Sequence, residues 1–498
     1  MKQITISIIE RDDVHKAYQK GEDAVWVLVQ EQNQTILKLA QALNELSSQI
    51  IKDSHNSGKP PSTDGLKKKP KHTESLRTIS GKKPGREKGH VGQTLVQVEN
   101  PKDTIPLSVQ ACTNCGNDLT KEEITGFVKR QVFDIPPINL EVTEYKAEKK
   151  LCPHCQTINT APFPQAVTQP VQYGYHIKSI AVALIDSVFT SYEKARQFLS
   201  DCFGIFMSQA TIMTAQNELA KLLFPVVWLA KTMLTYCQPV VHFDESGIRV
   251  NGKLYWLHDA STDWLTYYTV HRNRGTPAMQ EIGILPRFSG TAQHDHYRSY
   301  YTYPCRHGEC NAHHLRQLEY IFEAYHQEWP AHMATLLCLI HETVNQAKNE
   351  GRASLPEEQS DRFSRLYDAV IAEGFVMNPL PSVFEKKRGR IKHTEPQNLL
   401  LQLSEYKQET LLFMYDFSVS FDNNLSERDI RMMKVKMKIA GCFRTLHNAQ
   451  AFCVIRSYAS MVRKHGKNVL WAFASVYARK PYVPETILGA NMQLALHP

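Results

Sequence analysis

Residues 239–271 read PVVHFDESGIRVNGKLYWLHDASTDWLTYYTVH. An apolar run over 239–243 stops abruptly at Asp244. Two further β-rich runs, 248–250 and 253–258, flank Asn251-Gly252. That dipeptide favours a tight hairpin, because both turn positions need positive φ. A third aromatic and β-branched run, 265–271, follows a Ser-Thr-Asp turn. The pattern predicts a three-stranded meander with a carboxylate at the end of its first strand. Thr276-Pro277 then marks a helix start, where proline's missing N–H costs nothing. Residues 290–294 read as a fourth strand that also ends on an aspartate, Asp295. Two strands that each deliver an aspartate suit a divalent cation.

The chain has 498 residues, which predicts several domains. The hydrophobic share, 42%, is enough for globular cores. No apolar run approaches the roughly 18 residues of a membrane helix, and the N-terminus lacks the design of a signal peptide. Most of the eleven cysteines are scattered, which fits reduced cytosolic thiols. Net charge is +8, yet residues 59–88 alone hold ten Lys/Arg against three acids. A basic arm on a nearly neutral body points to a polyanion, nucleic acid foremost. A solvated linker is the competing reading.

Residues 22–53 carry heptad spacing: Val29, Ile36, Leu43 and Ile50, with Val25, Leu39 and Leu46 between them. Gln32 is the polar residue in this seam. A short coiled coil and self-association follow, with an ordinary amphipathic helix as the alternative. Residues 54–95 are rich in Gly, Pro, Ser and Lys and read as a basic linker. Its DNA-gripping candidates are Lys67, Lys68, Lys69, Lys71, Lys82, Lys83, Arg86 and Lys88. Next come two CxxC pairs, Cys112/Cys115 and Cys152/Cys155. Each pair offers two thiolates from one turn, so the four predict a structural Zn2+ with no open position. A hairpin over 129–135 and 140–146 is expected between them. Residues 170–236 read as helical, and Ser208 is placed to cap a helix after Phe203-Gly204. A helix-turn-helix fits there less well than simple bundle packing. Cys310, His313 and His314 cluster on one stretch. With no fourth ligand nearby in sequence, a buried helix with satisfied histidines is favoured over a metal site. A second basic patch spans 386–392.

Near the C-terminus, Glu427, Arg431, Lys434 and Lys438 are spaced to share one helix face. Ile430, Met433 and Met437 share another, facing a core. A carboxylate heading a basic stripe suits a metal site beside a phosphate backbone. Asn424-x-x-Glu427 is equally a capping-box pattern, in which Glu427 serves only the helix end.

The blocks HFDESGIRVNGKLYWLH, HDHYRSY, CNAHHLR and NNLSERDIRMMKVKMKIAGCFRT resemble the DDE transposases of the insertion sequence 66 family. The zipper-like start, the NSGKPPSTDG linker and the four-Cys module agree in order, so the resemblance covers essentially the whole chain. It implies a multidomain α+β protein: coiled coil (22–53), basic linker (54–95), zinc-ribbon-like module (100–165) and helical region (170–236). A ribonuclease-H-like α/β catalytic core (237–310 and 415–462) would follow, interrupted by a helical insertion (311–414) and closed by a tail (463–498). In such a core the first and fourth strands lie side by side. The catalytic carboxylates would be Asp244, Asp295 and Glu427, the last two separated by 132 residues. Their oxygens would hold Mg2+ or Mn2+ for a two-metal phosphoryl transfer, with Arg431, Lys434 and Lys438 on phosphates. Glu245, Asp259, Asp263, Asp422 and Asp429 compete for these roles. The partners implied are element-end and target double-stranded DNA, further copies of the chain and accessory proteins of the same element. The setting implied is the bacterial cytoplasm. A zinc-containing DNA-binding regulator and a ribonuclease-H-like nuclease are the rival functions.

Overall fold

The computed structural model describes residues 11–27, 29–30, 32–33, 95–135, 140–380 and 393–484. At the N-terminal end, α1 (Arg11–Gln19) is followed by helical residues 22–27. Most of the heptad segment, the basic linker candidates Lys67 to Lys88 and the 386–392 patch lie outside the described residues. In the four-Cys segment the expected hairpin is not formed by the described parts of 129–146. Gln131 instead uses its side-chain amide to bond both backbone groups of Val98, at 2.8 and 2.7 Å. The hairpin that does form is β1 (Lys149–Leu151) against β2 (Ile158–Thr160), and it frames the second CxxC turn.

Three helices precede the main sheet: α2 (Tyr175–Asp186), α3 (Tyr192–Phe203) and α4 (Gln209–Tyr236). Left-handed Gly204 ends α3, and the Ser208 hydroxyl accepts from Thr211 N–H to start α4, as the sequence suggests. α4 is apolar and long enough to cross a membrane by composition. Its Leu219, Leu223, Ala230 and Leu234 are instead fully buried within the main core.

The sheet holds five strands in the order β5-β4-β3-β6-β7. β3 (Val240–Val250) is one continuous strand, so Asp244 stands inside it and not at its end. The carboxylate does not break the strand because β4 (Lys253–Ser261) pairs with it along its whole length, Asp244 opposite Asp259. Asn251 and Gly252 turn the hairpin at φ 48° and 73°. β5 (Thr266–His271) completes the meander. α5 (Thr276–Ile282) then carries the chain over to β6 (Thr291–His294), which runs parallel beside the start of β3. β7 (Arg306–Glu309) adds in parallel beyond it. Gly290 makes the close approach possible: a Cβ there would lie 2.5 Å from the Pro239 carbonyl oxygen.

Between β7 and the glutamate helix come α6 (Asn311–Tyr325), α7 (Trp329–Asn349), α8 (Glu357–Met377), α9 (Glu395–Glu405) and α10 (Lys407–Tyr415). They share a core of their own around Trp329, Leu337, Ile340, Tyr367 and Leu400. α11 (Asn424–Ala440) then crosses the sheet with Ile430 and Met433 buried and Met437 partly buried. α12 (Leu446–Lys464) lies along β5, where the Ser457 hydroxyl accepts from Tyr268 N–H at 2.8 Å and blunts the exposed edge. The segment read as a tail includes α13 (Val469–Tyr477), whose Phe473 and Val476 enter the same core as α4. Apolar periodicity, not position in the chain, decides its place.

Two outcomes follow. Gly290→Ala should lower stability by at least about 2 kcal/mol, since backbone cannot yield to the new methyl; urea unfolding checks this. The second concerns Asp186, fully buried against Gln216 and 3.7 Å from Lys436. Burial pushes its carboxyl from an ordinary 3.8 up to about 6, against the opposing charge of Lys436. The folded chain therefore holds this proton more tightly, and the stabilisation fades as pH rises from about 4 to about 6. The melting-temperature advantage of wild type over Asp186→Asn should be largest near pH 4 and shrink through that window.

Candidate active site

Alternation along the strands puts His242, Asp244 and Ser246 on the sheet face covered by α11. Glu245 faces the other way. Asp244 takes an N–H bond from Glu245 at 2.7 Å. Asp295, just past β6, accepts from Tyr297 N–H at 3.2 Å. Burial raises the Asp244 carboxyl well above its usual range, and the charges of Glu245, Asp295 and Glu427 push it further. Asp295 is pushed up to about 6, by burial and then by Glu245. Asp244 thus feels the charge of both other candidates, which are far from it in sequence, although the three carboxylates do not form a group whose oxygens all meet within 4.8 Å.

Glu427 lies in the first turn of α11, but the capping box is not made. The residue before the helix is Asn423, and no side chain caps it. The Glu427 carboxylate instead receives Arg316 at 3.4 Å on one oxygen and Arg431 at 3.2 Å on the other. Asn423 has a different task. Its amide donates to the Phe243 carbonyl at 2.8 Å, its oxygen meets His242 Nδ1 at 2.8 Å, and its backbone N–H meets Cys310 Sγ at 3.1 Å. At the far end of α11, Phe443 exchanges backbone bonds with Arg249 and Asn251. The glutamate helix is therefore fastened to β3 at both ends.

The rival carboxylates have other engagements. Glu245 is buried against the Arg274 guanidinium (2.6 Å) and the Tyr300 hydroxyl. Arg274 also reaches within 4.0 Å of Asp295 and packs on the ring of Tyr297. Asp259 accepts the hydroxyls of Ser426 and Ser261. Asp429 is paired with Lys464 at 2.8 Å, and Asp422 accepts from Asn424. Asp263 sits on an exposed turn. Arg431, Lys434 and Lys438 are all exposed on α11, on the glutamate's side of the helix.

Sequence reasoning missed Arg274, Tyr300, Arg316 and Asn423. A usable signal existed for one of them. Cys310, His313 and Arg316 are three apart, which puts them on one face of α6. The histidine reading divides in two. His314 is satisfied, with Glu309 at 2.8 Å and Asn311 at 3.1 Å. His313 is not, because its buried Nδ1 has no hydrogen-bond partner. The ligand that seemed lacking arrives from the distant α11: Cys310, His313 and Glu427 place their ligand atoms within 4.8 Å of one another. Among the described residues this is the group of three or more that meets so closely.

The two CxxC turns repeat one design. Cys112 N–H bonds Asn117 O and Gly116 N–H returns to Cys112 O; Cys152 with Thr157, and Gln156 with Cys152, do the same. Backbone N–H groups of Cys115 and Asn114 draw the Cys112 thiol below its ordinary value. The Thr157 hydroxyl and N–H act likewise on Cys155. Thiols biased toward thiolate in paired turns fit a zinc ion's donor set.

Residues 179–451 match the transposase IS66 family, and residues 110–156 match the zinc-finger binding domain of transposase IS66. Residues 16–95 match a family of unknown function. No curated protein matches the chain. The first match spans more than half of the 498 residues and takes in the sheet, the helical insertion and α11. The second spans both cysteine knuckles. This chain belongs to the IS66 transposase family of DDE-type enzymes that process nucleic acid.

Proposed function

We propose that the chain binds the ends of its element, cleaves them and joins the freed 3′-OH to target DNA, using Asp244, Asp295 and Glu427 in a ribonuclease-H-like core. The observation that carries this reading is the parallel seating of β6 beside β3, with Asp244 charged against both Asp295 and Glu427. Burial and these like charges raise the proton affinity of Asp244, which a cation would relieve, and hard oxygen donors suit Mg2+ or Mn2+. Divalent ions held there supply activation of the attacking oxygen and stabilisation of the leaving one. Asp244 is central and would serve two ions, with Asp295 and Glu427 completing one each.

The remaining residues position and neutralise. Arg274 reaches Asp295 from one side while Glu245, itself bonded by the Tyr300 hydroxyl, holds Arg274. Arg431, Lys434 and Lys438 would take phosphates along the exposed face of α11, next to the reacting bond. The basic candidates from Lys67 to Lys88 would grip the duplex more loosely, through charge alone. Cys112, Cys115, Cys152 and Cys155 would close on one structural Zn2+. The heptads would pair copies of the chain, since bringing two DNA ends together requires more than one protomer. Accessory proteins of the same element remain part of this reading by family analogy.

A strand-transfer assay with Mg2+ and labelled duplexes from the DNA flanking the gene tests the proposal. Wild type should give joined product, and Asp244→Asn, Asp295→Asn and Glu427→Gln should each lower it at least about 100-fold while still binding DNA. Cleavage without joining would make the chain a nuclease. Binding with neither reaction, even with the neighbouring gene products present, would make it a regulator. Lys434→Ala should weaken binding to any duplex and reduce the salt dependence by about one counterion. Unchanged affinity and slope would remove that residue from the DNA surface.

A further inference from the structure

We propose that Cys310, His313 and Glu427 form a second metal site, one that takes a thiophilic divalent cation of the zinc class. The ligand atoms already lie within 4.8 Å of one another. Cys310 precedes the first residue of α6 and His313 comes one turn later, so both side chains leave the same end of one helix. Glu427 reaches them from the first turn of α11, with its oxygen 3.7 Å from His313 Nδ1. That nitrogen is buried and has no hydrogen-bond partner, so nothing else engages it. Asn423 N–H meets the Cys310 sulfur at 3.1 Å and fixes its direction, as outer groups do for metal ligands.

The donor set decides the ion. One sulfur, one imidazole and one carboxylate are poor company for Mg2+ but suit zinc-class cations. Three protein ligands leave a position for water or a phosphate oxygen, unlike the closed four-cysteine type. On binding, the Cys310 thiol releases its proton to solvent, and thiolate and carboxylate together balance the ion's charge. Glu427 cannot serve two masters at once. A zinc-class ion here withdraws it from the oxygen-only cation site, making the ion an inhibitor of Mg2+-dependent joining. This consequence rests on the role proposed for Glu427 above; the metal site itself does not.

The test is metal stoichiometry on the full-length protein, equilibrated with Zn2+ and desalted. Wild type should retain about two zinc ions per chain, one in the cysteine knuckles and one here. Cys310→Ser and His313→Gln should each fall to about one, while Cys338→Ser, a half-buried cysteine outside the group, should match wild type. The Cys112→Ser/Cys115→Ser variant should keep about one ion and, with Co2+, show the weak visible band of a single-thiolate site. That arm leaves the proposed ligands untouched, so it stands even where a Cys310 variant fails to fold. Equal zinc content in wild type, Cys310→Ser and His313→Gln, with no Co2+ band in the knuckle variant, would overturn the site. Zinc bound here without inhibition of strand transfer would keep the site and overturn the sharing of Glu427.

Discussion

Asn423 is the side chain on which the rest of the site depends. Its side-chain amide satisfies the Phe243 carbonyl and His242 on β3, and its backbone N–H meets the sulfur of Cys310 at the head of α6. All of these groups are buried, and a buried polar group left unpaired costs about 1–3 kcal/mol. The amide therefore fixes where α11 begins, to within the tolerance of a hydrogen bond. Helix geometry does the rest, carrying Glu427 one turn further on and the exposed arginine and lysines beyond it. The bond between Cys310 N–H and His294 O ties the same junction to the end of β6. Both aspartate-bearing strands and the glutamate helix thus meet at one small knot of polar atoms.

The electrostatics of the site follow from which face each side chain takes. Asp244 and Glu245 are neighbours, yet strand alternation sends them to opposite sides of the sheet. On Glu245's side the charge is answered by Arg274 and Tyr300, so that carboxylate is locked in place. Asp244, on the other side, has a backbone N–H and like charges around it. Asp259, across the ladder from Asp244, takes two serine hydroxyls on one oxygen while its other oxygen is buried without a hydrogen-bond partner. Glu245, held by Arg274 and Tyr300, serves structure, whereas Asp244 has no cationic side chain bonded to it among the described residues.

Much of this could be read from the residues. Asn251-Gly252, Thr276-Pro277 and the Ser208 cap act through local backbone geometry, which is why each appears where expected. The apolar face of α11 was equally legible, since 3.6-residue periodicity is a local property. The continuity of β3 was not, because Asp244 is tolerated there only through pairing with β4. The hairpin expected at 129–146 is not formed by the described residues, and nothing local to that run signals the bonds that the Lys129 carbonyl and the Gln131 side chain make to Gln97 and Val98. His313 shows the limit most clearly. Its partner is more than a hundred residues away, and spacing cannot reveal a contact that tertiary packing creates.

The helical insertion leaves the sheet at Asn311 and returns at Phe421, and the two are joined by one backbone hydrogen bond of 3.0 Å. Whatever lies between them is a loop closed at its neck. Closure entropy grows only slowly with length, by about 0.6 kcal/mol for each doubling. The stem would therefore accept a shorter or longer graft beyond α6, whose Arg316 has to stay to hold Glu427. The place of the glutamate relative to the second aspartate is then set by the neck and by α6, not by the length of the insertion. What is invariant is the width of the doorway.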